Sequence, residues 1–227
     1  MTLDSSNRFA IPGSWTAFAA HVLAPNLTAA RINAPSLRSF ILPEIYPGMV
    51  GAAVANLTGP IVWGARGPRF APQEYAITEI SRGGAGALVA QWAWWMGPDI
   101  TPAAQGAMFT AVATSAVTTV IGSWVLGSLA FNQTLPAGRY QCIGLGVQGA
   151  GVTYARLVYP GLSQYRPGVV AQNTYGDLPW TDQFRAGQMG SMGEFLHNAP
   201  PSIEVLGNAA AAITATAYLD LVRVGAA

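Results

Sequence analysis

The stretch Arg139–Tyr159, RYQCIGLGVQGAGVTYARLVY, has two incompatible readings, and the choice between them decides the fold class. Within it, Gly144-Leu145-Gly146-Val147-Gln148-Gly149 matches the dinucleotide fingerprint G-x-G-x-x-G, placed after an apolar run that suits a strand. The fingerprint holds a pyrophosphate only where its turn opens a helix, because the helix N-terminal N–H groups receive the phosphates. Here AGVTYARLVYPG follows Val147-Gln148-Gly149. Val152, Thr153, Tyr154, Val158 and Tyr159 are β-branched or aromatic and favour a strand. Pro160-Gly161 ends the segment before a crossover helix could form, and Asp177 lies beyond the usual ribose-binding position. The residues predict strands over 139–148 and 152–159, joined as a hairpin through Gly149-Ala150-Gly151, with no nucleotide cofactor.

The same texture extends outward. In ITATAYLDLVRV, Thr214, Thr216, Tyr218 and Asp220 share one face, while Ile213, Ala215, Ala217, Leu219 and Leu221 share the other. That alternation marks a half-buried antiparallel strand. Ser202–Leu206 and the residues near Val169-Val170-Ala171 read as further strands, as do Phe109–Ile121 and Ser123–Phe131. EYAITEISR and LVAQWAWWM, separated by a Gly-rich break, read as a strand pair. Trp92 and Trp94 fall on one face of it and Trp95 on the other. They suit a stacking platform for bases or sugars, or a sheet core or subunit interface, and the second reading is preferred.

Residues 1–70 have a different character. Pro12, Pro25, Pro35, Pro43, Pro47, Pro60 and Pro68 punctuate them and predict an extended, irregular arm. Trp15–Leu23, preceded by Ser14 as a cap, is the candidate for a short helix there. The expected architecture is all-β: an arm over residues 1–70, then a two-sheet antiparallel sandwich of jelly-roll type over 71–227. About eight strands with no βαβ rhythm support it.

Composition narrows the function. Charged residues make up 9% of the 227, against about 25% in an average soluble protein. Such a surface is poorly solvated, so it is covered by other chains or by lipid. The basic residues are all arginine, they are scattered singly, and the net charge is +1. A strong electrostatic grip on nucleic acid is therefore not expected. The start, MTLDSSNRFAIPGS, is neither a basic arm nor a secretory signal. Residues 100–138 carry no charge, and 106–131 are long enough to span a bilayer. Their Thr, Ser, Gly and Val content favours buried strands over a membrane helix. A second uncharged stretch, 45–65, is broken by Pro47 and Pro60.

The search for chemistry is mostly negative. Neither His21 nor His197 has a metal-ligand partner at nearby spacing, no G-x-S-x-G elbow occurs, and a chain without lysine has no P-loop. Cys142 is the single cysteine and reads as a buried, inert thiol. The N-x-T sequons at Asn26, Asn56 and Asn132 matter only in a glycosylating compartment. Asp177, Asp182 and Glu194 lie near Tyr175, Trp180 and His197 in sequence, the composition of a sugar-cleaving or sugar-binding cleft. The plainer reading pairs these acids with Arg166 and Arg185. No catalytic, cofactor-binding or metal-ligating residue is assigned.

LPAGRYQCIGLGVQGAGVTYARLVYPG, YRPGVVAQNTYGD and APPSIEVL together resemble coat proteins of phages and viruses of the jelly-roll type, over residues 130–224. The resemblance lies in texture: strand, short Gly turn, strand, then a long loop with R-P-G. It implies a non-enzymatic virion protein that assembles with copies of itself, and with other virion proteins or an internal membrane as possible partners. Many coat proteins that touch the genome carry a basic arm, which this chain lacks. The competing classes are a membrane protein spanning near 106–131 and a carbohydrate-binding sandwich.

Overall fold

The chain divides into two units, residues 1–100 and 101–227, each made of antiparallel strands. The computed structural model describes residues 8–23, 27–37, 44–45, 59–83, 91–162, 165–172 and 183–226. Among these residues there is no α-helix.

The first unit contains β1 (Arg8–Ala10), β2 (Trp15–Leu23), β3 (Leu27–Asn33), β4 (Glu44–Ile45), β5 (Ile61–Val62), β6 (Arg69–Phe70), β7 (Tyr75–Arg82) and β8 (Gln91–Gly97). One sheet has the order β1-β7-β3-β4. The other centres on β2, which pairs with β8 along one edge and with β5 and β6 along the other. Phe9, Ile11, Ala17, Ile32 and Phe70 are buried together, with Trp15, Trp63, Trp94 and Met96 packed against them.

Two expectations fail here. The described parts of 1–70 are not an irregular arm: β1, β2 and β3 are integral strands of this unit. Trp15–Leu23 is not a helix but the central strand of its sheet. The physical reason lies in the run itself. Ala17–Leu23 are buried without a break, and a short continuous apolar run has no period that separates strand from helix. Its small residues have a tertiary purpose. Ala19 lies opposite Trp95, Ala20 opposite Trp94 and Val22 opposite Trp92, so the small side chains leave room for the indoles. Pro12 follows β1, Pro35 opens a 3-10 turn, and Pro60 and Pro68 precede β5 and β6. These prolines punctuate strands without dissolving the sheet.

The second unit contains β9 (Met108–Thr118), β10 (Trp124–Gly127), β11 (Ala130–Phe131), β12 (Arg139–Gln148), β13 (Val152–Val158), β14 (Gly168–Val170), β15 (Gly193–Leu196), β16 (Ser202–Gly207) and β17 (Ala212–Gly225). Its sheets run β11-β9-β17-β12-β15 and β10-β16-β13-β14. Setting aside the short edge strand β11, the pairs nest: β9 with β17, β10 with β16, β12 with β15, β13 with β14. A long hairpin wound into two sheets gives this order, which is the jelly roll. The first unit nests in the same sense, β1 with β7, β2 with β6 and β5, β3 with β4.

The uncharged 106–131 stretch thus forms β9, β10 and β11 rather than a helix, and no described helix is long and apolar enough to cross a membrane. Along β9, Ala111, Ala113, Ser115 and Val117 are buried at every second position. They pair with Leu219, Ala217, Ala215 and Ile213 of β17, in the alternation that sequence predicted for the last strand.

The expected 139–159 hairpin is also corrected. Its two strands fall where sequence placed them, yet they do not pair. β12 joins β17 and β15, while β13 joins β16 and β14. Gly149-Ala150-Gly151 is therefore a corner between sheets, with Gly151 at φ 74°, a conformation that favours glycine. The same correction applies to EYAITEISR and QWAWWM, whose strands β7 and β8 belong to different sheets. A sandwich needs such corners, and the residues of a corner match those of a hairpin turn.

Candidate functional site

The glycines of GLGVQG serve the packing of a loop. β12 bulges between Cys142 and Gly144 against β17. Residues 183–192 cross it there. Gly187 N–H donates to Ile143 O at 2.6 Å and Met192 N–H to Cys142 O at 2.7 Å. A side chain at Gly144 would strike Asp220 Oδ2 and come within 2.9 Å of Ala186 N and Arg185 Cα. At Gly146 an added Cβ would meet Arg185 Nη1 at 3.5 Å, an ordinary contact, so the requirement for glycine falls on position 144.

The missing side chain at Gly144 leaves room for the backbone of Arg185 and for Asp220. Arg185 Nε donates to Asp220 Oδ2 at 2.7 Å and Nη2 to Oδ1 at 2.6 Å, a bidentate pair. Ala186 N–H donates to Oδ2 at 2.9 Å and Thr110 Oγ1 to Oδ1 at 2.8 Å. Asp220 is 1% exposed. Burial alone would raise its pKa, but the hydrogen bonds from Arg185, Ala186 and Thr110 outweigh that and hold the carboxyl below its ordinary value. With two donors on each oxygen, the carboxylate is fully engaged. The arrangement fastens residues 183–192 to β12 and β17 and leaves no lone pair for acid/base work.

The carboxylate constellation does not form a described cleft. Tyr175, Asp177, Trp180 and Asp182 lie outside the described residues. Glu194 sits on β15, its Oε2 3.6 Å from Arg139 Nε, and its Oε1 accepts from Gln141 Nε2 at 3.2 Å. His197 Nδ1 accepts from Gly138 N–H at 3.4 Å. Arg166 approaches Glu204 at 3.8 Å, beside the shorter Arg156–Glu204 pair at 2.5 Å. Arg156 also lies 4.0 Å over the Trp124 ring.

Trp63, Trp92 and Trp94 are partly buried and pack side by side. Trp92 and Trp94 stack at 6.0 Å and Trp63 and Trp94 at 6.3 Å. All three rest on buried Ala20, Val22 and Ala30. This packing agrees with the preferred reading, a sheet core or subunit interface. Cys142 is fully buried, and burial pushes its thiol up to about 12. His21 is buried in β2. Among the described residues no cluster of His, Cys, Asp or Glu could hold a metal ion.

One open depression in the second unit is lined by Phe109, Gln133, Thr134, Pro136, Tyr140 and Arg223. Its polar groups are turned to the backbone: Tyr140 OH donates to Pro136 O at 2.7 Å, and Arg223 Nη2 to Ala137 O at 2.6 Å. It offers no arrangement for catalysis.

No protein-family pattern matches the sequence, and no curated protein matches it either. Among solved structures, the chain is similar to the major capsid protein P2 from bacteriophage PM2, with 12% identity and a TM-score of 0.27, over 99% of this chain and 96% of that one. A likeness at this level carries no functional argument.

Proposed function

We propose that this chain is a non-enzymatic structural protein of a virion, assembling with copies of itself into a capsid shell. One observation carries the reading: each described acid has a partner within its own unit, while large apolar side chains remain at the surface. Glu74 accepts from Ser36 and from Ala71 N–H, Glu79 pairs with Arg31, Asp99 accepts from Ile100 N–H, Glu194 meets Arg139, Glu204 meets Arg156, and Asp220 holds Arg185. These are the acids whose side chains are described. Meanwhile Tyr75, Met108, Val120, Ile121, Leu126 and Leu162 are 46% to 60% exposed. A surface of this kind is stable in water when neighbouring subunits cover it. The jelly-roll winding of the second unit and the coat-protein texture of residues 130–224 agree with the role. The absence of a basic run argues for lattice contacts with protein rather than a direct grip on the genome.

The test is purification without detergent, followed by light scattering and negative-stain electron microscopy. Regular particles or sheets far above 23.7 kDa support the reading. A stable monomer at every concentration contradicts it.

A further inference from the structure

The two units treat corresponding sheet edges differently. In the first, β2 pairs with β5 and β6 along one edge and with β8 along the other. In the second, β10 pairs with β16 through Trp124↔Leu206, Val125↔Val205, Leu126↔Glu204 and Gly127↔Ile203. Among the described residues nothing pairs with its outer edge, and β10 ends its sheet. An antiparallel strand turns the N–H and C=O groups of alternate residues to each side, so an outer edge is a row of donors and acceptors. The remaining edges of this unit are blunted: β11 has two residues, β14 has three and follows Pro167, and β15 carries Glu194. β10, Trp124-Val125-Leu126-Gly127, has neither charge nor proline. Leu126 is 60% exposed, the highest value among the large apolar side chains described. Val120 and Ile121, in the turn before it, are 50% and 51% exposed. Apolar exposure thus concentrates along one sheet edge. β14, after which the chain passes to residues outside the described ones, is the opposite edge of that sheet.

We propose that the outer edge of β10 pairs antiparallel with the same edge of a second copy, about a twofold axis at Val125. The inference rests on the shell reading above and names a contact for it. What complements a row of backbone donors and acceptors is another such row, so the occupant is a strand. The β2–β8 pair shows a strand seated on the corresponding edge of the first unit. Side-chain geometry selects β10 itself. Residues directly opposite in an antiparallel pair point to the same face. Trp124 and Leu126 share a face, on which Arg156 lies 4.0 Å over the Trp124 ring and Leu126 stands opposite Glu204. A twofold axis normal to the sheet keeps that face on one side in both copies. Pairing centred on Val125 then sets Leu126 of each copy opposite Trp124 of the other, and Val125 opposite its own counterpart. The most exposed apolar side chain of the unit is covered by an indole in both copies, and its burial favours the pair. Every other described strand of this unit is committed within a sheet and ends it, where it ends it, with a blunted edge. The β10 edge is open in each copy, and joining two of them about an axis leaves neither unmatched.

The experiment compares full-length wild type, Leu126→Lys and Leu162→Lys by sedimentation and electron microscopy, with circular dichroism as the check on folding. In the free subunit the ammonium introduced at 126 stands opposite Glu204. At the contact it faces Trp124 of the second copy, whose ring already holds Arg156. The expected result is that Leu126→Lys lowers the assembled fraction roughly tenfold or more. Leu162, 46% exposed in the loop after β13, is the control, and Leu162→Lys should assemble as the parent does. A second measurement decides the case in which Leu126→Lys misfolds. Val125→Cys sets two thiols opposite each other across the axis, at a separation that a disulfide spans. The native Cys142 is buried. Mild oxidation should then link copies in pairs through residue 125, and Leu162→Cys should give no such pairs. If wild type assembles but Leu126→Lys assembles equally well, or Val125→Cys yields no linked pairs, the β10 contact is wrong and the shell reading stands. Equal loss in both lysine variants also overturns the contact. Linked pairs from protein that never builds particles would keep the contact and sink the shell reading. A monomer throughout, with no linked pairs, sinks both.

Discussion

Asp220 and Arg185 show how much one buried pair can ask of the residues around it. Removing the guanidinium in Arg185→Ala leaves a carboxylate at 1% exposure with only Thr110 and Ala186 as donors. Breaking a buried pair in this way costs about 3–5 kcal/mol, which urea unfolding of the variant should read as a lowered midpoint. Gly144→Ala should cost about 1–3 kcal/mol, because the added methyl meets Asp220 and the backbone of Arg185 and Ala186. The pair also sets an acid limit. Asp220 titrates below its unfolded value, so its contribution is complete above the usual aspartate pKa of about 3.9 and is lost as pH falls toward the folded value. Unfolding midpoints taken from neutral pH downward should drop on that acid limb, and Asp220→Asn should flatten it. Cys142, with its thiol pushed to about 12, should resist alkylating reagents at pH 8 until the protein is unfolded. Prompt labelling of the native chain would show that the strand is open. At this scale sequence was half informative. Alternation placed Asp220 on the polar face of the last strand, with Thr214, Thr216 and Tyr218, and did not mark it as buried. The partner lies 35 residues earlier, in a loop with no periodic signal, so nothing local pointed to it.

Among the elements, strand positions were legible where side chains alternate, and strand partners were not. β17 falls close to its predicted limits because its faces alternate, and β12 and β13, buried on both faces, because glycine and proline breaks bound them and β-branched and aromatic residues fill β13. Pairing depends on whether a turn closes a hairpin or turns a corner between sheets, and the glycines at 149 and 151 permit either. β2 was misread because burial on both faces erases the period that separates strand from helix. Its companions make a prediction. Trp94→Ala removes the central ring of the Trp63–Trp94–Trp92 stack and should cost about 3–5 kcal/mol. Tryptophan fluorescence during denaturation would measure it; a loss near zero would return these rings to the role of a surface platform. Truncation before residue 34 removes β1, β2 and β3, and should expose β7 and β8 to rapid proteolysis. Persistent protection of 75–97 would mean that the early strands are dispensable after all.

For the whole molecule, the low charge content was the most far-reaching signal. It predicted a surface covered by other chains or by lipid, and among the described residues Tyr75, Met108, Val120, Ile121, Leu126 and Leu162 are the large apolar side chains that stand exposed at 46% or more. Composition said nothing about where the uncovered surface lies, because that depends on which strands the nesting leaves at a sheet edge. It also could not reveal a second, similarly nested set of strands in residues 1–100, since proline-marked segments hide short paired strands. The most direct measurement of the shell proposal is sedimentation velocity on the full chain without detergent, across a range of concentrations. The account predicts a sharp, fast boundary of large particles that grows at the expense of free subunit as concentration rises. A lone slow boundary at the mass of one 23.7 kDa chain throughout the range would contradict it.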